Sequence, residues 1–227
     1  MQILQVRLQV SRRTSEAVEA FYRERFALAA ANGGVRADGT VLEFVPVDDG
    51  EPFYHFALRV PRNRFDAARE WLRGHTELLP DPETGEEVFP FDNWNAEACY
   101  GLDPAGNIVE LIAHHELPEQ TPGGGPFVSQ ELLGMCELGV VGPDTRAMAF
   151  ALEPFGIRLW DGELEPGRLA FMGGRDGVLI LTPTGRGWLP TGRPAEPHPV
   201  DVLVAGERDG ETTFPGLRHR IRTTHMG

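Results

Sequence analysis

Tyr100-Gly-Leu-Asp-Pro-Ala-Gly-Asn-Ile-Val-Glu-Leu111 decides how this chain is read. Two apolar runs, residues 96–102 and 108–113, flank the segment Asp103-Pro-Ala-Gly-Asn107. Proline presets φ for an early turn position, and glycine or asparagine accepts positive φ at little cost. The stretch predicts two antiparallel strands joined by a tight hairpin. A lone glutamate, Glu110, sits on the second strand.

Upstream, residues 54–60 alternate, with Phe56, Leu58 and Val60 on one face of a strand. Asn63 is a candidate cap for a helix with Phe65, Ala68 and Leu72 as its apolar stripe and Gly74 past its end. Residues 88–91 read as a further strand. The same order occurs earlier: an alternating strand at 2–10 with Leu4, Val6, Leu8 and Val10 on one face, then a helix capped at Thr14 or Ser15. Val18, Phe21 and Tyr22 form that helix's stripe, Gly33-Gly34 and Asp38-Gly39 mark turns, and 41–47 reads as a strand. Residues 1–115 thus predict two strand–helix–strands modules. Residues 116–132, rich in proline and glycine, read as a linker. A third module follows: a strand at 135–141, a helix capped by Asp144 and stopped near Pro154, and strands at 167–172 and 178–182. A fourth begins at 199–205 but has no room for its helix before a last strand-like stretch, 212–222. The expectation is an α+β protein of repeated βαβββ modules forming curved mixed sheets, with a degenerate second half spanning 133–227.

These segments, in this order, resemble the vicinal oxygen chelate superfamily, which includes glyoxalase I, bleomycin-resistance proteins and extradiol dioxygenases. The hairpin at 100–111 is similar to the family's last hairpin, where an Asp-Pro-x-Gly-Asn turn precedes a glutamate ligand. Tyr54-His-Phe-Ala-Leu-Arg-Val60 is similar to the strand that opens with a histidine ligand. Gln5-Val-Arg-Leu-Gln-Val10, followed by a helix with Phe21-Tyr22, is similar to the opening strand and helix. The resemblance places metal ligands at Gln5, His55 and Glu110, with Glu43 near a fourth position. Glu110 and Glu43 are then also the candidate catalytic groups. It implies a glyoxalase-like metal-dependent lyase or isomerase acting on a small oxygen-rich metabolite. The alternatives are a non-catalytic small-molecule binder of the bleomycin-resistance kind, which needs no metal, and an extradiol-type dioxygenase. The last stands lower, because that chemistry uses two histidines and a glutamate while Gln5 takes the place of the first histidine.

Strand alternation bears on the same residues independently. It puts Gln5, Arg7 and Gln9 opposite one apolar stripe, and His55, Ala57 and Arg59 opposite another. An imidazole, an amide and carboxylates form a mixed N/O donor set suited to Zn, Ni, Mn or Fe. Arg7 and Arg59 are candidate substrate-binding cations, and Trp94 a candidate stacking platform. Each has a plainer alternative: Gln5 and Glu43 as ordinary polar strand residues, His55 as a hydrogen-bonded core histidine, the arginines as rim ion pairs, Trp94 as a loop anchor. His114 and His115 read as a surface pair at a strand end. Glu137 occupies in the third module the place of Gln5 in the first, and His198 lies near the start of the fourth. Without a second Asp-Pro-x-Gly-Asn hairpin, a second complete metal site is not expected.

Composition excludes several chemistries. The 227 residues include 34 acidic and 21 basic ones, a net charge of −13, and every basic residue is arginine. There is therefore no lysine for a Schiff base or for pyridoxal phosphate, and Gly123-Gly124-Gly125 is no phosphate-binding loop of the lysine-dependent type. The charge argues against general nucleic-acid binding. Cys99 and Cys136 form no CxxC and read as free thiols. No basic-then-apolar leader pattern and no long apolar run occurs, so the expected setting is cytoplasmic, without membrane insertion, with a small-molecule ligand and homodimerisation as an open option.

Overall fold

The computed structural model describes residues 1–118 and 124–226. Part of the expected linker, residues 119–123, lies outside the described residues. The first module comprises β1 (Ile3–Ser11), α1 (Ser15–Ala20) continuing through a π-helical turn (Phe21–Arg25), β2 (Ala29–Ala31), β3 (Gly34–Ala37) and β4 (Thr40–Val47). The second comprises β5 (His55–Arg59), α2 (Phe65–Arg73), β6 (Phe89–Phe91), β7 (Ala96–Leu102) and β8 (Ile108–His114). The third comprises β9 (Met135–Gly142), α3 (Thr145–Leu152), β10 (Leu159–Gly162), β11 (Ala170–Gly174) and β12 (Gly177–Pro183). The fourth has only β13 (Val200–Gly206), β14 (Gly210–Thr213) and β15 (Arg220–His225). The fold is α+β with curved mixed sheets, and its last module is the degenerate one.

The modules pair across the chain. One sheet has the order β14-β15-β13-β1-β4-β3-β2 and joins the first module to the fourth. The other has the order β10-β11-β12-β9-β5-β8-β7-β6 and joins the second to the third. Each sheet therefore takes strands from both sides of residues 116–132. The junctions are antiparallel: Arg7 faces Asp201 between β1 and β13, and Ala57 faces Glu137 between β5 and β9.

The alternation read from the sequence decides which face is buried. Val6, Leu8 and Val10 share one core with Val18, Phe21 and Tyr22, and Phe56, Leu58 and Val60 join it from the other sheet beside Ala68 and Leu72. Each such large apolar side chain contributes about 1.5–3 kcal/mol when fully buried. On the opposite face of the second sheet a separate aromatic cluster forms around Phe53, Trp94, Tyr100 and Trp188.

The hairpin turn between β7 and β8 ties two modules together. Asp103 Oδ1 accepts from the backbone of Ala105 at 2.8 Å and of Asn107 at 3.0 Å. Its Oδ2 accepts from Tyr22 on the first module at 2.9 Å and from Asn107 Nδ2 at 2.7 Å. Gly106 takes the positive φ, at 78°. Asn107 Oδ1 accepts the backbone N–H of Tyr54 at 2.8 Å, which fixes the start of β5 one residue before His55.

Some local expectations need correction. α2 starts at Phe65 after a 3-10 turn, Arg62–Arg64, so Asn63 lies in that turn and not at the cap. By contrast, Asp144 caps α3 by accepting from Ala147 N at 3.0 Å. The stretch 212–222 is not one strand but parts of the hairpin β14–β15, bent where Phe214-Pro-Gly-Leu217 intervenes. Among the described residues, no helix is long and apolar enough to cross a membrane.

Candidate metal centre

Three ionisable side chains converge on the inner face of the second sheet. His55 opens β5, Glu110 lies midway along β8, and Glu137 lies on β9, the central neighbour of β5. Their ligand atoms lie within 4.8 Å of one another and all three residues are buried. His55 Nε2 is 3.2 Å from Glu110 Oε2. Tyr100 stands directly opposite Glu110 across β7–β8, where its hydroxyl offsets part of the rise that burial imposes on the carboxyl group.

Burial dominates the electrostatics of this cluster. It pushes both Glu110 and Glu137 up to about 8, with their mutual repulsion adding to the effect on Glu137. It holds the His55 imidazole down to about 4, and drives the Tyr100 hydroxyl well above its ordinary value. Glu137 Oε1 and His55 Nδ1 are buried with no hydrogen-bond partner. Buried polar atoms are normally paired, because an unpaired one forfeits its hydration. Two carboxylates and a neutral imidazole, with one ligand atom of each within 4.8 Å of the others, fit a divalent cation.

The two halves of the cluster are related by the strand registers. His55 pairs with Ile108, two residues before Glu110. Glu137 pairs with Val178, two residues before Ile180. Ile180 therefore occupies on β12 the position that Glu110 occupies on β8, an apolar side chain in place of a carboxylate. The donor set is one imidazole and two carboxylates.

A cavity of about 160 Å³ opens onto the cluster. Trp94, Tyr100, Phe171 and Trp188 supply aromatic walls, Ile180 and Leu189 apolar ones, and Asp161 and Arg186 charge. Trp188 reaches the cluster from the strap after β12, its ring 5.0 Å from that of His55. That approach requires Gly139: a Cβ there would lie 2.6 Å from Trp188 Cη2. Trp94 is fixed by Trp160 at 4.8 Å and Phe171 at 4.7 Å, with its indole N–H donated to Asp161.

The sequence candidates are thus only partly brought together. His55 and Glu110 meet, and Trp94 lines their cavity. Gln5 and Glu43 do not join them: they stand on β1 and β4 of the other sheet. Arg7 is on that sheet too, and spends its charge on Glu43 at 2.9 Å and Asp201 at 3.7 Å. The reason is topological, since the first module pairs with the fourth and not with the second. Arg59 lies on β5 but at the far end from His55, bonded to Asp176 at 2.8 Å beside a different cavity. His114 is buried against Trp94 and not at the surface, and burial holds its imidazole down to about 4. His115 is half-buried beside Glu97. His198 packs against Phe53 and Tyr54, away from the cluster. Cys99 and Cys136 are buried free thiols; burial pushes Cys99 up to about 12, so it is unreactive.

Glu137, and not Gln5, stands beside His55 and Glu110. Its sequence signal is a lone carboxylate inside Met135-Cys-Glu-Leu-Gly-Val-Val141, a run buried along its whole length. Trp188, Arg186 and Asp161 carry no such signal, since they come from turn-rich or edge segments whose path is set by tertiary packing.

No protein-family model and no curated protein sequence matches the chain. Solved structures do. A Bacillus subtilis subsp. subtilis str. 168 protein, described only provisionally as a dioxygenase, is similar with a TM-score of 0.60 and 15% identity, over 100% of this chain and 86% of that one. Glyoxalase I from Zea mays is similar with a TM-score of 0.54 and 13% identity, over 99% of this chain and 92% of that one. The chain shares the fold of these two proteins.

Proposed function

We propose that the protein is a glyoxalase-like, metal-dependent lyase or isomerase acting on a small oxygen-rich metabolite. The observation that carries this reading is the buried His55–Glu110–Glu137 cluster at the floor of a ligand-sized cavity. His55, Glu110 and Glu137 would hold the ion. A divalent ion in that place would polarise adjacent substrate oxygens and stabilise an enolate or alkoxide. Tyr100 restrains Glu110 through its hydroxyl and sets the orientation of that carboxylate. Glu137 Oε1, free of hydrogen bonds, is the acceptor for a proton on a substrate carbon next to a carbonyl. Its burial raises its basicity, and the indoles of Trp94 and Trp188 keep water away from the exchanged proton.

The aromatic lining favours a second reading, a non-catalytic small-molecule binder. Against it, a plain apolar binding site gains nothing from two buried carboxylates, whose desolvation costs several kcal/mol each unless paired. A dioxygenase of the extradiol type is disfavoured by the donor set, which offers one histidine where that chemistry uses two.

The test is metal analysis of protein purified without chelator, together with solvent-deuterium exchange into 2-oxo acids and 2-hydroxy aldehydes followed by NMR. One equivalent of metal, lost in His55→Ala and Glu110→Gln, and exchange lost in Glu137→Gln support the proposal. Trace metal that is unchanged in these variants sinks it. Metal without exchange, but with oxygen uptake on catechols, would return the dioxygenase reading.

A further inference from the structure

We propose that the cavity takes a flat organic acid about one ring in size, whose acid group is read by Arg186 on the cavity rim. This deepens the function proposed above and rests on it for the end of the ligand that faces the metal cluster. Arg186 follows β12 on the strap that also carries Trp188, and it lines the cavity half-buried. Among the described residues no carboxylate lies within 4.0 Å of its guanidinium; its one hydrogen bond runs from Nη1 to the adjacent Gly187 carbonyl at 3.3 Å. Three arginines of the sheets are already held by carboxylates. Arg7 pairs with Glu43, Arg59 with Asp176 and Arg222 with Asp201. The cavity's own rim carboxylate, Asp161, is already engaged by the indole N–H of Trp94 and by Asn93 Nδ2 at 3.1 Å. Asp161 therefore acts as an anchor for the wall, and Arg186 keeps its donors for something that enters. A guanidinium offers a planar fork that matches a carboxylate in two parallel hydrogen bonds.

Size and shape narrow the ligand further. A dry cavity of about 150 Å³ holds a benzene ring, so about 160 Å³ suits one ring or an equally flat conjugated chain. The indoles of Trp94 and Trp188 line the space such a body would fill. The charges fix its orientation. The floor is formed by two acidic side chains and an imidazole, none of which attracts an acid group, whereas Arg186 attracts one at the rim. The neutral oxygens of the ligand thus go down and the acid group stays up. In a chain of net charge −13, this local cation also offsets a long-range field that repels anions.

The test uses the full chain loaded with Mn(II) and three probes: 3,4-dihydroxybenzoate, 3,4-dihydroxybenzamide and catechol. All three carry the same pair of adjacent oxygens; only the first carries an acid. Binding is read by tryptophan fluorescence and calorimetry. The expected result is that the acid binds at least about tenfold tighter than the amide. R186Q removes that preference while leaving amide binding, catechol binding and metal content unchanged, and R186K retains part of it. A preference that survives R186Q, an amide that binds wild type as tightly as the acid, or no binding of any probe overturns the proposal. Metal content is measured on the same samples. An Arg186-dependent preference of benzoate over benzamide in protein that holds no metal would support the role of Arg186 and sink the metal reading alone.

Discussion

Tyr100 and Glu110 face each other across the β7–β8 hairpin, and the phenol hydroxyl offsets part of the rise that burial imposes on the carboxyl group. The same hairpin turn holds the start of β5 through Asn107 and Tyr54, so one local motif positions two of the three clustered side chains.

Tyr100→Phe should therefore weaken metal binding without abolishing it. The phenyl ring keeps the packing against Phe89 at 4.9 Å, and only the hydroxyl is lost. Removal of a group that orients a metal ligand costs about 10- to 100-fold in affinity. Competition titration against a chromophoric chelator measures it. Unchanged affinity would mean that Glu110 needs no such restraint.

The three buried groups of the metal-free protein should contribute most to its stability near pH 4.5 and less as pH rises toward 8. Glu110 and Glu137 titrate at about 8 in the folded chain against an ordinary 4.5. Between those values the folded state holds protons that the unfolded state has released, so stability falls as pH rises toward 8. His55 works in the opposite sense. Its folded value of about 4 lies below the ordinary 6.5, so its own contribution is lost as pH drops from 6.5 to 4, but above pH 4.5 the two carboxylates outweigh it. Thermal melts in EDTA should show Tm declining from pH 6 to pH 8.5. Glu110→Gln and Glu137→Gln should flatten the alkaline limb. Added metal should raise Tm more at pH 8.5 than at pH 6, because binding displaces protons. A flat profile in EDTA would contradict the burial of two carboxylates.

Gly139→Ala tests the seating of Trp188. The added Cβ meets the indole at 2.6 Å from Cη2 and 2.9 Å from Cζ2. Overpacking of this kind costs about 1–3 kcal/mol. The indole must move off the His55 ring, so a lower Tm should accompany a shifted tryptophan emission. Unaltered emission would show that the strap accommodates the methyl group elsewhere.

The sequence made the modules legible because their signals are local. Alternation at Val6-Leu8-Val10, the Asp103–Asn107 turn and the Asp144 cap each act within a few residues. The partner of each module is a long-range property, and no periodicity encodes it. That is why His55 and Glu110, which belong to one module, are legible together, while the placement of Gln5 and Glu43 on the other sheet is not. Glu137 was recognisable as equivalent to Gln5, but its use depends on β9 pairing with β5. Short strands such as β2 and β10, with Ala29–Ala31 and Leu159–Gly162, lack an alternating pattern and exist because a neighbouring strand offers its edge.

Ile180→Glu should convert the three-residue cluster into a four-residue one. Ile180 is buried, lines the cavity and occupies on β12 the register position of Glu110 on β8. A carboxylate there would face the same centre. In metal-free protein it adds a third buried acid, whose desolvation and repulsion lower the stability. With metal bound, the additional negative ligand strengthens the site. The expected signature is a lower Tm in EDTA together with a larger metal-induced rise in Tm than in wild type. Ile180→Gln separates the two effects, since an amide introduces polarity without charge and should show a smaller fall in EDTA. If the metal-induced rise in Ile180→Glu is no larger than in wild type, the side chain at this position does not reach the ion, and the two-fold relation between the β5–β8 and β9–β12 halves stops short of the ligand shell.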